Sequence, residues 1–141
     1  MAATATSASI TAVQQWYEKF DKGDIDGVVD AFTDDAILLV GAGESDDYVP
    51  YGGRFVGKAQ IRHYYTARFA KTMQIIRPLC GLKPFIQETG RWVVVSGTIK
   101  DTHSGGRTLY EGRYLHVWSV NPDDYKFASM SMFFESRHTA L

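Results

Sequence analysis

Thr108-Leu-Tyr-Glu-Gly-Arg-Tyr-Leu-His-Val-Trp-Ser-Val120 sets Tyr110, Gly112, Tyr114, His116 and Trp118 on one side and Glu111, Arg113, Leu115 and Val117 on the other. A period of two sends successive side chains to opposite faces, so the stretch reads as a long β-strand. Its neighbours keep the period. Trp92 to Lys100 precedes it and Lys126 to Glu135 follows, with Glu-Thr-Gly-Arg, His-Ser-Gly-Gly and Asn-Pro-Asp-Asp turns at the ends. The three must form an antiparallel meander. Upstream, Ile75 to Gln87 is β-prone but interrupted by Pro78, Gly81 and Pro84, which predicts an edge or bulged strand.

The first half of the chain has a different period. Ile10, Val13, Trp16, Tyr17 and Phe20 recur at three-and-four spacing, one face of a helix, with Thr11-Ala-Val-Gln14 as a weak capping box near its start. Gly23 ends it and Asp24 can cap a second helix that buries Ile25, Val28, Val29 and Phe32. Ala36-Ile-Leu-Leu-Val40 suits a short strand buried on both faces. Residues 41 to 54 carry four glycines, a proline and three acids and read as a loop of functional length. A third helix runs from about Lys58 to Lys71, with Ile61, Tyr64, Tyr65 and Phe69 on one side. Helices first and antiparallel strands afterwards is the α+β pattern.

At 141 residues, with 45% hydrophobic and 22% charged residues, the chain is one domain large enough to bury a core without staples. The domain is read as residues 10–137, between short tails at 1–9 and 138–141. A net charge of -1 gives no basic field for nucleic acid and no polybasic stripe for a membrane surface. No run approaches the ~18 apolar residues of a membrane span. The first residues lack the basic and apolar regions of a signal peptide. Cys80 stands alone, which removes an internal disulfide and any paired-thiolate zinc site, and a cytoplasmic location is expected. What stands out is 13% aromatic content, eight Phe, eight Tyr and three Trp, which has to be housed somewhere.

Asp21-Lys-Gly-Asp-Ile-Asp26, then Phe32-Thr-Asp-Asp-Ala36, then Val49-Pro-Tyr-Gly-Gly-Arg-Phe-Val-Gly-Lys58 followed by a Tyr-Tyr helix, resemble the opening of the nuclear transport factor 2-like superfamily. The likeness is strongest to its SnoaL-like, ketosteroid-isomerase-related branch and covers roughly residues 10 to 137. It implies a cone-shaped barrel, a curved antiparallel sheet wrapped on the three helices. It implies fold far more than chemistry, because the scaffold hosts isomerases, cyclases, dehydratases and binding domains alike. It also implies a cofactor-free site, a small hydrophobic molecule as ligand and a homodimer through the outer sheet face, where Glu111 and Arg113 would pair and Phe133 would be covered. Asp24, Asp34 and Asp35 read as cap or turn residues.

Ketosteroid isomerase places an aspartate base at the end of the first strand, a tyrosine on the first helix and a protonated aspartate on the long strand. Those positions fall on Val40, on Trp16 with Tyr17 beside it, and on His116. All three differ, so the likeness is one of scaffold and not of mechanism. The Arg-x-Asp of limonene epoxide hydrolase is also replaced, by Tyr114-Leu-His116. His116 has two readings: a general acid or base among aromatics, or a core histidine bonded to a tyrosine. Asp46 and Asp47, with Glu44, lie in the 41–54 loop and could partner it, or could be solvated loop acids; no periodicity tells one from the other. The candidate catalytic set is therefore His116, Asp46, Asp47 and Tyr17. Trp16, Val40, Tyr51, Tyr65, Tyr114, Trp118, Met130, Met132 and Phe134 would line the ligand site. His63 is expected at the surface of its helix, His103 in a turn and His138 in the tail. No nucleophile elbow, P-loop, dinucleotide fingerprint or metal-ligand spacing is present. The implied activity is cyclase, isomerase or dehydratase chemistry on a small, largely apolar cyclic or polyketide-like molecule. The alternatives are a non-catalytic domain binding such a molecule and a dimerisation module.

Overall fold

The computed structural model describes residues 7–41, 53–76, 85–103 and 108–134. Helix α1 spans Ala8–Asp21, and the Ser7 side chain accepts from the Ile10 N–H at 3.1 Å. The helix thus begins ahead of Ile10, because its cap lies outside the apolar spacing. Val13, Trp16 and Phe20 form its buried face. Gly23 turns the chain with φ of 70°, and Asp24 caps α2, Ile25–Asp30, by accepting from Gly27 N–H at 3.0 Å. The next elements are β1 (Phe32–Val40), β2 (Gly53–Val56), α3 (Gly57–Lys71), β3 (Thr72–Ile76) and β4 (Phe85–Thr89). The chain then forms β5 (Trp92–His103), β6 (Thr108–Val120) and β7 (Phe127–Phe134).

The strands make one curved sheet in the order β2-β1-β7-β6-β5-β3, with β4 on the same edge of β5 as β3 but at its other end. The meander β5-β6-β7 is antiparallel throughout, whereas β1 joins β7 in parallel. This is the α+β architecture expected from the switch of period, with the helices packed on one face of the sheet. Among the described residues no helix is long and apolar enough to cross a membrane.

Five local expectations change. Phe32 opens β1 instead of closing α2, and it is fully buried there. Ala36–Val40 is the end of a nine-residue strand that is buried on one face, since Leu39 is 43% exposed between buried Leu38 and Val40. Asp34 and Asp35 lie within that strand, where the register against β7 skips between Phe32 and Ile37. A bulge leaves these residues off the ladder; Asp34 faces Lys58 at 3.5 Å and Asp35 accepts from Thr33 Oγ1 at 3.1 Å. The end of the 41–54 stretch pairs back on β1 as β2, and Ile75–Gln87 contributes parts of two strands instead of one.

Registers across the sheet order the inward side chains into rows. One row runs Leu38, Met130, Trp118, Val93; the next runs Val40, Met132, His116, Val95; beyond it Tyr114 lies opposite Gly97. Trp16, Phe20, Tyr64 and Tyr65 cover these rows from the helices, in one buried cluster. Full burial of each large side chain of this kind contributes about 2–3 kcal/mol, so the buried aromatics stabilise the sheet-on-helix packing together with the aliphatic members of the cluster.

Candidate functional site

His116 sits on the inward face of β6 because the alternation of that strand leaves it no other choice: Arg113 and Leu115 are exposed, while Tyr114, His116 and Trp118 are buried. Among the described residues it is buried at 4% exposure, as is the polar Ser119. Burial of an imidazole demands a hydrogen-bond partner. That partner comes from the other half of the chain. Tyr17 Oη and His116 Nδ1 share a hydrogen bond of 2.5 Å, with the two ring planes 11° apart. Tyr17 is only partly buried, so the pair spans from the core to a more solvated position.

Two further rings fix the histidine. Tyr114 lies with its centroid 4.5 Å from that of His116, and Trp118 stands edge-on at 6.5 Å. Tyr114 in turn occupies the space above Gly97, its cross-strand partner. A Cβ at Gly97 would come within 3.0 Å of Tyr114 Oη and 3.2 Å of its ring carbons. Gly97 was not among the sequence candidates; an isolated glycine inside the Trp92–Lys100 run was the available signal, since it marks close approach in a strand.

The residue at the isomerase tyrosine position does something else. Trp16 donates its indole Nε1–H to the Val28 carbonyl at 3.2 Å, which ties α1 to α2, and its ring packs on Trp118 at 4.7 Å and on Phe20 at 5.2 Å. The hydroxyl facing His116 comes from the next residue along. Tyr65 donates to Met130 Sδ at 3.5 Å, a core contact beside the row below His116. Val40 and Met132 share the His116 row, with exposures of 4% and 5%. The structure thus brings Tyr17, Tyr114, His116 and Trp118 together, with Trp16, Val40 and Met132 next to them. Asp46, Asp47, Tyr51 and the side chain of Phe134 lie outside the described residues, as does Glu44. The segment carrying both aspartates leaves and rejoins the sheet at the paired residues Val40 and Gly53, at the end of the His116 row.

His63 is exposed, as expected, beside a shallow depression formed with Arg54, Phe55, Ala59 and Gln60 on the α3–β2 side, apart from the Tyr17–His116 pair. Among the described residues, no three His, Cys, Asp or Glu side chains come together as metal ligands.

The SnoaL-like domain model matches residues 13–130. The chain belongs to the SnoaL-like domain family. This SnoaL-like chain is similar over 92% of its length, and 92% of theirs, to two solved structures. A nuclear transport factor 2-like protein of unknown function from Burkholderia pseudomallei K96243 superposes with TM-score 0.74 at 21% identity. TerC, co-crystallized with polyporic acid, superposes with TM-score 0.72 at 25% identity. SalBIII, an epoxide hydrolase/cyclase-like enzyme in pyran ring formation in polyether salinomycin, superposes with TM-score 0.68 at 20% identity, covering 90% of each chain. No curated protein matches the chain.

Proposed function

We propose that this SnoaL-like domain is a cofactor-free acid–base catalyst for a small, largely apolar cyclic or polyketide-like molecule, with His116 moving the proton. The observation that carries the reading is the 2.5 Å bond between Tyr17 Oη and His116 Nδ1 inside a wall of aromatics. A histidine buried only for packing would need a partner and nothing more. Here the partner reaches out to the partly solvated face, which gives the imidazole a path for protons as well as an orientation. The surroundings, Tyr114, Trp118, Val40 and Met132, are uncharged and mostly apolar, which suits a neutral ligand. The family and its cyclase-like fold relatives support the reaction class. Asp46 or Asp47 is the second proton-transfer group in this reading, because their segment is anchored at the end of the His116 row. The domain works as a homodimer through the outer sheet face, where Leu39, Leu115 and Phe133 are 43%, 38% and 50% exposed.

Two probes test the reading. Polyporic acid, with which TerC was co-crystallized, is titrated by calorimetry to report binding, and deuterium exchange at the α-carbons of 2-tetralone in D2O, followed by NMR, reports proton transfer. The wild type should bind the first and accelerate the second over buffer. His116→Gln should keep binding and lose about 100-fold or more of the exchange rate, the usual scale of a general acid–base group. Exchange unchanged in His116→Gln overturns the assignment, and binding without any exchange in the wild type makes the domain a carrier instead of a catalyst.

A further inference from the structure

We infer that Tyr17 is the donor in its bond with His116, so that the imidazole carries its proton on Nε2, and that the pair acts as a two-proton relay toward a substrate oxygen. The substrate end of this inference rests on the acid–base reading above; the proton assignment in the free protein does not. A neutral imidazole has one N–H and one bare nitrogen. Facing a phenol, whose pKa is ~10, the bare nitrogen is much the stronger base of the two possible acceptors. The order O–H···N is therefore favoured over N–H···O. The hydroxyl stands 2.5 Å from Nδ1 with the two ring planes 11° apart, a short contact that this order satisfies.

Burial then selects how the proton moves. Charging His116 where it stands, at 4% exposure between Tyr114 and Trp118, incurs the desolvation cost of a buried cation. A relay avoids the cation. As the Nε2–H bond breaks and that proton bonds to the substrate oxygen, the Tyr17 O–H bond breaks and its proton bonds to Nδ1. The imidazole is neutral before and after, with its double bonds shifted. The negative charge leaves the substrate oxygen and comes to rest on Tyr17 Oη, the more solvated member of the pair. Running the two transfers backward restores the starting state when the oxygen releases its proton.

The relay also narrows the substrate. Its effective acid is a phenol, and proton transfer is best matched when donor and acceptor have similar proton affinity. The fitting oxygen is an enolate or phenolate oxygen, so the ligand class is an enolisable cyclic ketone or a phenol. An ester or an amide, whose oxygen anions are far more basic, is a poor match. Tyr17 here is a positioning residue that sets the tautomer of His116 and supplies its second proton.

The test is a long-range proton–nitrogen correlation spectrum of ligand-free protein labelled with 15N-histidine at neutral pH, with the His116 signals assigned by their loss in His116→Gln. The expected result is a protonated Nε2 and a bare Nδ1 in the wild type, becoming a tautomer mixture in Tyr17→Phe, with 2-tetralone exchange in that variant slowed roughly 10-fold or more. A proton on Nδ1 in the wild type overturns the inference without needing any variant to fold. The two readings separate cleanly. Nε2–H with exchange unaffected by His116→Gln removes the catalytic function and leaves the tautomer assignment. Nδ1–H with exchange lost in His116→Gln removes the relay and leaves the acid–base function.

Discussion

Gly97 has no side chain, and the ring of Tyr114 uses that space. The closest atom to a Cβ there is the Tyr114 hydroxyl, at 3.0 Å, so Gly97→Ala must push the tyrosine ring, whose centroid stands 4.5 Å from that of His116. Overpacking of this size costs about 1–3 kcal/mol, less a few tenths regained because alanine is the better strand residue. The expected outcome is a melting temperature lower by roughly 2–6 °C, together with displaced His116 ring proton signals. Calorimetry and NMR check the two, and unmoved His116 signals would show that Tyr114 does not set the position of the histidine. At this scale the sequence was informative about residue types and less so about partners. Alternation in β6 put Tyr114, His116 and Trp118 on one face, and the family resemblance implied that this face points inward. Nothing in the spacing said whether Trp16 or Tyr17 would face the histidine, because that depends on how α1 is rotated over the sheet. The Trp16–Val28 bond, which ties that helix to its neighbour, joins residues on separate helices.

Elements were legible where their period was sustained and ambiguous where it was short. The strand boundaries of β6 match the sequence reading at both ends, and α3 matches within a residue. β2 was missed because four residues, Gly53–Val56, are too few to show a period, and a glycine and an arginine make up half of them. The two acids of β1 misled for a physical reason: a bulge removes them from the ladder, so they look like turn residues while the strand continues through them. The junction between β2 and α3 has no linker, and Gly57 absorbs the change of direction at φ of 83°. A Cβ there would meet Asp34 O at an ordinary 3.5 Å, so any penalty is conformational and not steric. Gly57→Ala should therefore destabilise the protein by about 1–2 kcal/mol in urea unfolding. An effect within ~0.3 kcal/mol would mean that the junction can take another backbone conformation. Gln60 accepts from the Val56 N–H at 2.7 Å and Lys58 reaches Asp34, two contacts that hold α3 against such a shift.

On the scale of the molecule, the aromatics divide between the two faces of the sheet. Most fill the inward cluster, but Phe133 projects outward at 50% exposure beside Leu115, its cross-strand neighbour, with Leu39 on the strand beyond β7. Three adjacent strands thus share an uncovered apolar strip, the kind of surface that soluble chains reserve for a partner. With a second copy as that partner, the wild type should run as a dimer in light scattering. Leu115→Lys combined with Phe133→Lys should run as a monomer, with the His116 signals kept. A wild type that is monomeric at 100 μM, well above the ~1 μM typical of a modest dimer, would remove this expectation. The composition arithmetic foresaw the housing problem, and the resemblance foresaw the shape of the house. Neither could foresee that β1 would lie parallel to β7, since that pairing joins strands far apart in the sequence.

That parallel seam has a consequence for the newborn protein. β1 leaves the ribosome well before its neighbour β7, and Tyr17 waits 99 residues for His116. Contacts of such long range form late because the intervening chain must first be gathered in. During synthesis the helices and β1–β2 carry their apolar faces uncovered, a stretch in which a chaperone has something to hold. The Tyr17–His116 pair therefore cannot form until β6 has been made, and a product interrupted before that strand lacks it.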